Sequence, residues 1–277
     1  MAKTRGLQHI CLGGKFMVFY NVKIFGIPLY EIFLIIGIYL ALYLAIFLCN
    51  KKGFSQQLKR LLIVDFLITI GVGFLGAMFF QTIYDYIKTG EFNLFQSGMT
   101  FYGGFIFGGI TFILVWFLGG KILRIETETK ENFFDIVEIS ACAIPLAHAF
   151  GRIGCLFAGC CYGKNTDAWF GVLTYTQESV GLVKVVPVQL FESIFLFTLF
   201  SCLVTLFLKK KKIPLMAIYL IVYGLWRFCI EYVRADDRGN TIVSFLSPSQ
   251  LTAIFMIILG AIYWFFIIKI RKKPCGI

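Results

Sequence analysis

The chemistry this chain could perform is concentrated in a few charged side chains set within apolar stretches. Arg152 lies in the run His148-Ala-Phe-Gly-Arg-Ile-Gly, flanked by Gly151 and Gly154. His148 precedes it by one helical turn, so imidazole and guanidinium are expected on one helix face. A second run, Trp226-Arg-Phe-Cys-Ile-Glu-Tyr-Val-Arg, sets Arg227, Glu231 and Arg234 at i, i+4 and i+7. That spacing predicts one polar stripe on an otherwise apolar helix. A charge held at mid-membrane depth costs about 2.5–3.5 kcal/mol on insertion scales, so such residues normally face a cavity and are paired. The stripe could be an internal ion-pair ladder tying helices together. Three guanidiniums set against Glu231 alone nevertheless leave surplus positive charge, which suits an anionic ligand. In a membrane the abundant anion is a phospholipid phosphate, and the planar fork of arginine matches its oxygens.

Two further groups of residues could contribute. The glycine-rich run Phe101-Tyr-Gly-Gly-Phe-Ile-Phe-Gly-Gly predicts either close helix packing by small residues or a close backbone approach to a ligand. In the second case Tyr102 offers a hydroxyl at the outer end. Among nine cysteines, most lie in apolar blocks, where cysteine behaves as a small hydrophobe. Only Cys155, Cys160 and Cys161 cluster. Zinc sites usually pair their ligands with a second C-x-x-C, which is absent here, so no metal and no cofactor are expected. A disulfide from Cys155 to Cys160 or Cys161 is open, and inert thiols are the default.

The elements that must carry these residues follow from composition. The chain has 277 residues and is 59% hydrophobic, with a mean hydropathy of +0.83. A soluble domain is closer to half apolar, and here the excess falls in long blocks. Crossing about 30 Å of hydrocarbon takes roughly 20 apolar residues as helix. Seven blocks qualify, at about 27–49, 62–87, 98–119, 133–157, 187–208, 213–233 and 245–268. The expected fold class is an all-α integral membrane protein, a single transmembrane domain over 1–277, with a small extracytoplasmic head in the loop at 159–186.

The net charge of +11 comes from short clusters between blocks, and no recognition motif accompanies it, so nucleic acid is not an expected partner. Lys51, Lys52, Lys59, Arg60, Lys121, Arg124, Lys130, Lys209 to Lys212, Lys269, Arg271, Lys272 and Lys273 fall on one side. They outnumber those on the other, which puts the C-terminus inside and the N-terminus outside. Lys3, Arg5 and Lys15 lean mildly the other way. No signal-peptide pattern precedes the first span.

Taken together, the ordered motifs resemble the prolipoprotein diacylglyceryl transferase family from about residue 25 to 268. They are Ile27-Pro28-Leu29-Tyr30, then Gly98 with Tyr102-Gly103-Gly104, then Asp135 and Pro145 ahead of Gly151-Arg152-Ile153-Gly154. Gly163 follows, then Pro187-Val188-Gln189-Leu190-Phe191-Glu192, Tyr223-Gly224 with Arg227, Glu231 and Arg234, and Ser247-Pro248-Ser249-Gln250. The resemblance implies a bacterial inner-membrane enzyme. It would move the diacylglyceryl group of phosphatidylglycerol to the thiol of a lipobox cysteine in a prolipoprotein signal peptide, releasing glycerol phosphate. It further implies that Arg152 and Arg227 contact the phosphate, Glu231 orients one of them, Arg234 guards the outer mouth, and Tyr30, Gly103, Gly104 and Gly163 lie at the substrate. The chain departs from the family in carrying Tyr102 where the family has histidine. It also carries Cys155-Leu-Phe-Ala-Gly-Cys160 where the family has Asn-Phe-x-Asn-x-Glu, and Met78 in place of an arginine. His148 then becomes the expected substitute for the missing base. Two other functions remain open: transfer to a different acceptor by a divergent paralogue, and non-enzymatic binding of anionic lipid.

Overall fold

A computed structural model describes residues 22–90, 92–94, 100–175, 181–210, 213–235 and 246–272. Lys3, Arg5, Lys15, Gly98, Lys211, Lys212 and Lys273, named above, lie outside that set. Among the described residues, seven helices are long and apolar enough to cross a membrane: α1 (Leu29–Lys52), α2 (Gln56–Thr89), α3 (Phe101–Ile122), α4 (Glu126–Ala158), α5 (Val188–Leu208), α6 (Leu215–Ile230, continued by a 3-10 turn over Glu231–Val233) and α7 (Pro248–Lys272). Strand content among the described residues consists of two small antiparallel pairs, β1 (Lys23–Ile24) with β2 (Ile27–Pro28) and β3 (Val172–Tyr175) with β4 (Leu182–Val185). The chain is an all-α, multi-pass membrane protein.

Helix bounds depart from apolar length in an instructive way. α2 begins at Gln56, several residues before its apolar block, because the Ser55 hydroxyl accepts a hydrogen bond from the Leu58 amide at 3.1 Å and caps the helix. It stops at Gly90, which adopts φ +75 and returns its amide to the Tyr86 carbonyl. α4 likewise begins early, with Glu126 and Glu128 in its first turn, where acidic side chains offset the helix dipole. Apolar length detects the stretch in hydrocarbon, whereas caps decide where helix starts.

The chain forms two compact units, Leu42–Ser140 on one hand and the segments up to Ala41 and from Ala141 on the other. In the Leu42–Ser140 unit, α2 and α3 are held together by small residues at close approach. A Cβ on Gly76 would sit 2.5 Å from Phe107 Cβ, and one on Gly103 would sit 2.6 Å from Phe80 Cβ. The Trp116 indole N–H donates to the Thr129 carbonyl at 3.1 Å, and Lys52 pairs with Asp135 at 2.8 Å.

In the other unit, α6 and α7 approach where Gly224 faces Ala253 and Ile257 and where Gly260 faces Ala217 and Ile221. The Ser193 hydroxyl on α5 donates to the Ala149 carbonyl on α4 at 3.1 Å. Between α4 and α5 runs the 159–186 segment, which holds the β3–β4 hairpin with Val172 opposite Val185.

The α2–α3 contact sets up a matched pair of substitutions. Gly76→Ala is expected to lower unfolding stability in detergent by about 1–3 kcal/mol, the usual cost of overpacking. Gly71→Ala, on the same helix with open space around it, is expected to be neutral or stabilising. Equal midpoints for the two variants in a denaturant titration would refute the packing account.

A buried guanidinium and carboxylate cluster

Three helices and the turn that follows the last of them bring charge to one place. α4 supplies His148 and Arg152, α5 supplies Glu192, α6 supplies Tyr223 and Arg227, and the turn after α6 supplies Glu231 and Arg234. Glu192 is fully buried and Arg227 and Arg234 are each 6% exposed, so each needs charge compensation from protein. Glu192 provides most of it. Its Oε2 lies 3.0 Å from Arg152 Nε and 4.0 Å from Arg234 Nη1. Its Oε1 accepts the Tyr223 hydroxyl at 2.9 Å and stands 4.0 Å from His148 Nε2. Arg227 also acts on it electrostatically.

Sequence spacing did place His148 beside Arg152: the guanidinium Nε donates to His148 Nε2 at 3.2 Å. The imidazole packs edge-on to the Tyr223 ring, with centroids 5.1 Å apart. The stripe after Trp226 has a different shape from the expected continuous helix. α6 ends at Ile230, the chain tightens into the 3-10 turn, and Arg234 is extended at φ −75 and ψ 154. Arg234 leaves the helix because its backbone pairs with Gly163 in an antiparallel bridge. The Lys164 amide donates to the Val233 carbonyl at 2.9 Å, and the Ala235 amide to the Tyr162 carbonyl at 3.3 Å. A Cβ on Gly163 would meet Val188 Cγ2 at 2.7 Å and the Val186 carbonyl at 2.8 Å, so only glycine lets this segment pass.

Glu231 nevertheless bridges the two arginines. Its Oε2 is 2.8 Å from Arg227 Nη2 and 3.9 Å from Arg234 Nε, so the ion-pair ladder exists. It is anchored from α7: the Ser247 hydroxyl donates to Glu231 Oε1 at 2.8 Å, and Arg227 Nη2 donates to Ser249 Oγ at 2.6 Å. Ser247 and Gln250 form a reciprocal helix cap. The Gln250 amide donates to Ser247 Oγ at 3.2 Å, and the Ser247 amide donates to Gln250 Oε1 at 3.0 Å. With proline at the first helical position, this gives Ser-Pro-Ser-Gln its physical meaning.

Glu192 is the residue that spacing did not single out. Its signal was a lone carboxylate within the apolar run Val-Gln-Leu-Phe-Glu-Ser-Ile-Phe, which carries the same intramembrane penalty as an arginine. Counting it, Arg152, Arg227 and Arg234 face Glu192 and Glu231, and the surplus shrinks to one positive charge. Arg227 Nη1 is buried and has no hydrogen-bond partner among the described residues. A cationic N–H left without an acceptor in a dry site is costly, and an anionic ligand would satisfy it.

The remaining candidates divide. Tyr30 lies on α1 against Gly154, where an added Cβ would stand 3.1 Å from the ring. Beside it are Cys155, Cys160 and Cys161, none of them in a disulfide, with sulfurs within 4.8 Å of one another. Hydrogen bonds from the Cys155 and Cys160 thiols hold the Cys161 thiol well below the ordinary thiol range despite its burial, aided by Arg152 and Arg234. Bonds to Cys155 and Cys161 push Cys160 up. Tyr102, Gly103 and Gly104 lie in the first turn of α3 and belong to the Leu42–Ser140 unit, where Gly103 serves the contact with α2.

Comparison with known proteins extends what the geometry gives. The family described as prolipoprotein diacylglyceryl transferase matches residues 17–266. The chain is 31% identical to phosphatidylglycerol--prolipoprotein diacylglyceryl transferase 2 of Clostridium perfringens, over 92% of this chain and 97% of that protein. It is 33% identical to the phosphatidylglycerol--prolipoprotein diacylglyceryl transferase of Clostridium tetani, with the same coverage. Against the protein of that name from Francisella tularensis it is 30% identical, over 89% of this chain and 91% of the relative.

Removing one member of a buried ion pair strands the other charge, at a cost of about 3–5 kcal/mol. Glu192→Gln is therefore expected to destabilise the protein in detergent by that amount, and Tyr223→Phe by about 1–3 kcal/mol through the unsatisfied carboxylate oxygen. An unfolding midpoint unchanged in Glu192→Gln would show that the carboxylate is not the counter-ion on which the arginines depend.

Proposed function

Because the chain belongs to the prolipoprotein diacylglyceryl transferase family, we propose that it transfers the diacylglyceryl group of phosphatidylglycerol to the thiol of a lipobox cysteine in a prolipoprotein signal peptide. The observation that carries this reading is the guanidinium cluster within membrane helices, with Arg227 Nη1 lacking a hydrogen-bond partner among the described residues.

The acceptor thiol loses its proton to a base, and its sulfur attacks the diacylglyceryl carbon bonded to the phosphate oxygen. A C–S bond forms, the C–O bond breaks, and glycerol phosphate departs with the electron pair. The phosphate passes from one negative charge as a diester towards two as a monoester. Guanidiniums already fixed around it gain more from the second charge than from the first, so they bind the transition state better than the lipid. Arg152 and Arg227 take the phosphate, Glu231 orients Arg227, and Arg234 stands at the outer mouth, held by the bridge to Gly163. Tyr30 lies at the substrate side of Gly154. This is the extracytoplasmic side of a bacterial inner membrane, with the C-terminus in the cytoplasm.

His148 serves as the proton acceptor. Its Nε2 lone pair takes the Arg152 Nε–H, and a phosphate that draws Arg152 towards itself frees that lone pair for the incoming thiol. The base is thereby switched on by the lipid. Tyr102 stands where the family resemblance implies histidine, and turnover by Tyr102→His tests whether that departure matters.

The deciding experiment uses the full chain in vesicles of labelled phosphatidylglycerol with a lipobox peptide. Expected products are a peptide heavier by one diacylglyceryl group and equimolar glycerol phosphate. Arg227→Lys is expected to lower kcat/KM by about 10²–10³-fold, and His148→Ala by about 10²–10⁴-fold. Release of glycerol phosphate with an unmodified peptide would redirect the assignment to another acceptor. No release at all would make the chain a lipid binder, and full turnover in His148→Ala would remove the base.

A further inference from the structure

The end of α4 and the turn that follows it carry three thiols for which the transfer chemistry has no use. Cys155 sits in the last turn of the helix. Gly159 then adopts φ +65 and Cys161 φ +62, a left-handed conformation that non-glycine residues rarely take. The fold-back is tied at both ends: the Cys160 amide reaches the Cys155 carbonyl at 3.3 Å, and Gln189 on α5 donates to the Cys160 carbonyl at 2.6 Å. It brings the Cys155, Cys160 and Cys161 sulfurs within 4.8 Å of one another, all of them half-buried. Simple packing would not require three thiols to converge through a strained residue.

A cation bound by three thiolates at about 2.3 Å needs sulfurs about 4 Å apart, and these sulfurs already lie within 4.8 Å of one another. Soft sulfur ligands select thiophilic ions with filled d shells over magnesium or calcium. The charge also balances. Three thiolates around a divalent ion carry one net negative charge, and Arg152 and Arg234 lie within electrostatic range of Cys161.

We propose that Cys155, Cys160 and Cys161 form a three-thiolate site for a thiophilic d10 cation of the zinc and copper(I) class. Bound there, the ion fastens the end of α4, one turn beyond Arg152, to the segment leading to Gly163 and so to Arg234. The missing second ligand pair that argued against a metal in the sequence matters only for a four-sulfur site. A three-sulfur site leaves one position for water or for another ligand.

Cadmium is the probe, because thiolate-to-cadmium charge transfer is visible in the ultraviolet. The reduced full-length protein in detergent is expected to bind one equivalent of Cd2+ with that band, displaceable by Zn2+ or Cu+, and to protect all three cysteines from alkylation as mapped by mass spectrometry. Loss of an outer-shell partner alone costs metal sites about 10–100-fold in affinity, so Cys155→Ser, Cys160→Ser and Cys161→Ser are each expected to lose at least about 10²-fold. Cys202→Ser, at an exposed position on α5, is expected to bind as wild type. Three outcomes would each overturn the proposal: no charge-transfer band, binding that survives Cys155→Ser, or alkylation of the trio at an unchanged rate with Cd2+ present. The protection measurement on unmutated protein keeps the test decisive if a serine variant fails to fold. The proposal does not rest on the transfer reaction, since every readout is independent of turnover.

Discussion

The structure around the cluster depends on the burial of one carboxylate. Glu192 has no exposed surface, and a charge so placed persists only if counter-charge and hydrogen bonds surround it. Arg152, Tyr223, His148 and Arg234 supply them. Arg152 needs Glu192 as much as the reverse holds. The Arg152 contact at 3.0 Å is an ion pair whose alignment falls short of a hydrogen bond, since Glu192 Oε2 counts among the buried oxygens without one.

Around that pair, the fold restrains the other two arginines by different means. Arg227 is fixed by side chains, Glu231 and Ser249. Arg234 is fixed by its own backbone, through the bridge to Gly163, so its head group can be held by distant carboxylates at 3.9 and 4.0 Å. The cluster therefore joins a rigid member to one whose position is inherited from the 159–186 segment. The Tyr219 and Tyr223 rings, stacked at 5.8 Å, close the α6 side with apolar surface that keeps the local dielectric low and the charges strong.

Much of this was legible from residues alone, for reasons that differ between elements. The seven spans followed from apolar length, which the bilayer imposes almost independently of tertiary contacts. The pairing of His148 with Arg152, and of Glu231 with Arg227, followed from helical spacing, a local property. Arg234 escaped the same logic because strand-like pairing with a segment some seventy residues away took it off the helix. Glu192 escaped as the hub because its partners come from other helices. The starts of α2 and α4 escaped because Ser55 and the first-turn acids act outside the hydrocarbon. The cysteines were visible as a cluster, but their convergence rests on left-handed Cys161, which no spacing rule anticipates.

One small feature constrains what this sequence can become. Ser247 Oγ caps α7 and simultaneously gives its proton to Glu231. At an ordinary helix start, aspartate replaces serine freely. Here an aspartate would set a second carboxylate against Glu231 with no proton to share, and repulsion would swing the glutamate off Arg227. The position calls for a neutral group that accepts from the Gln250 amide and donates to Glu231 at once, so the charge on one glutamate narrows the chemistry of a helix cap on another element.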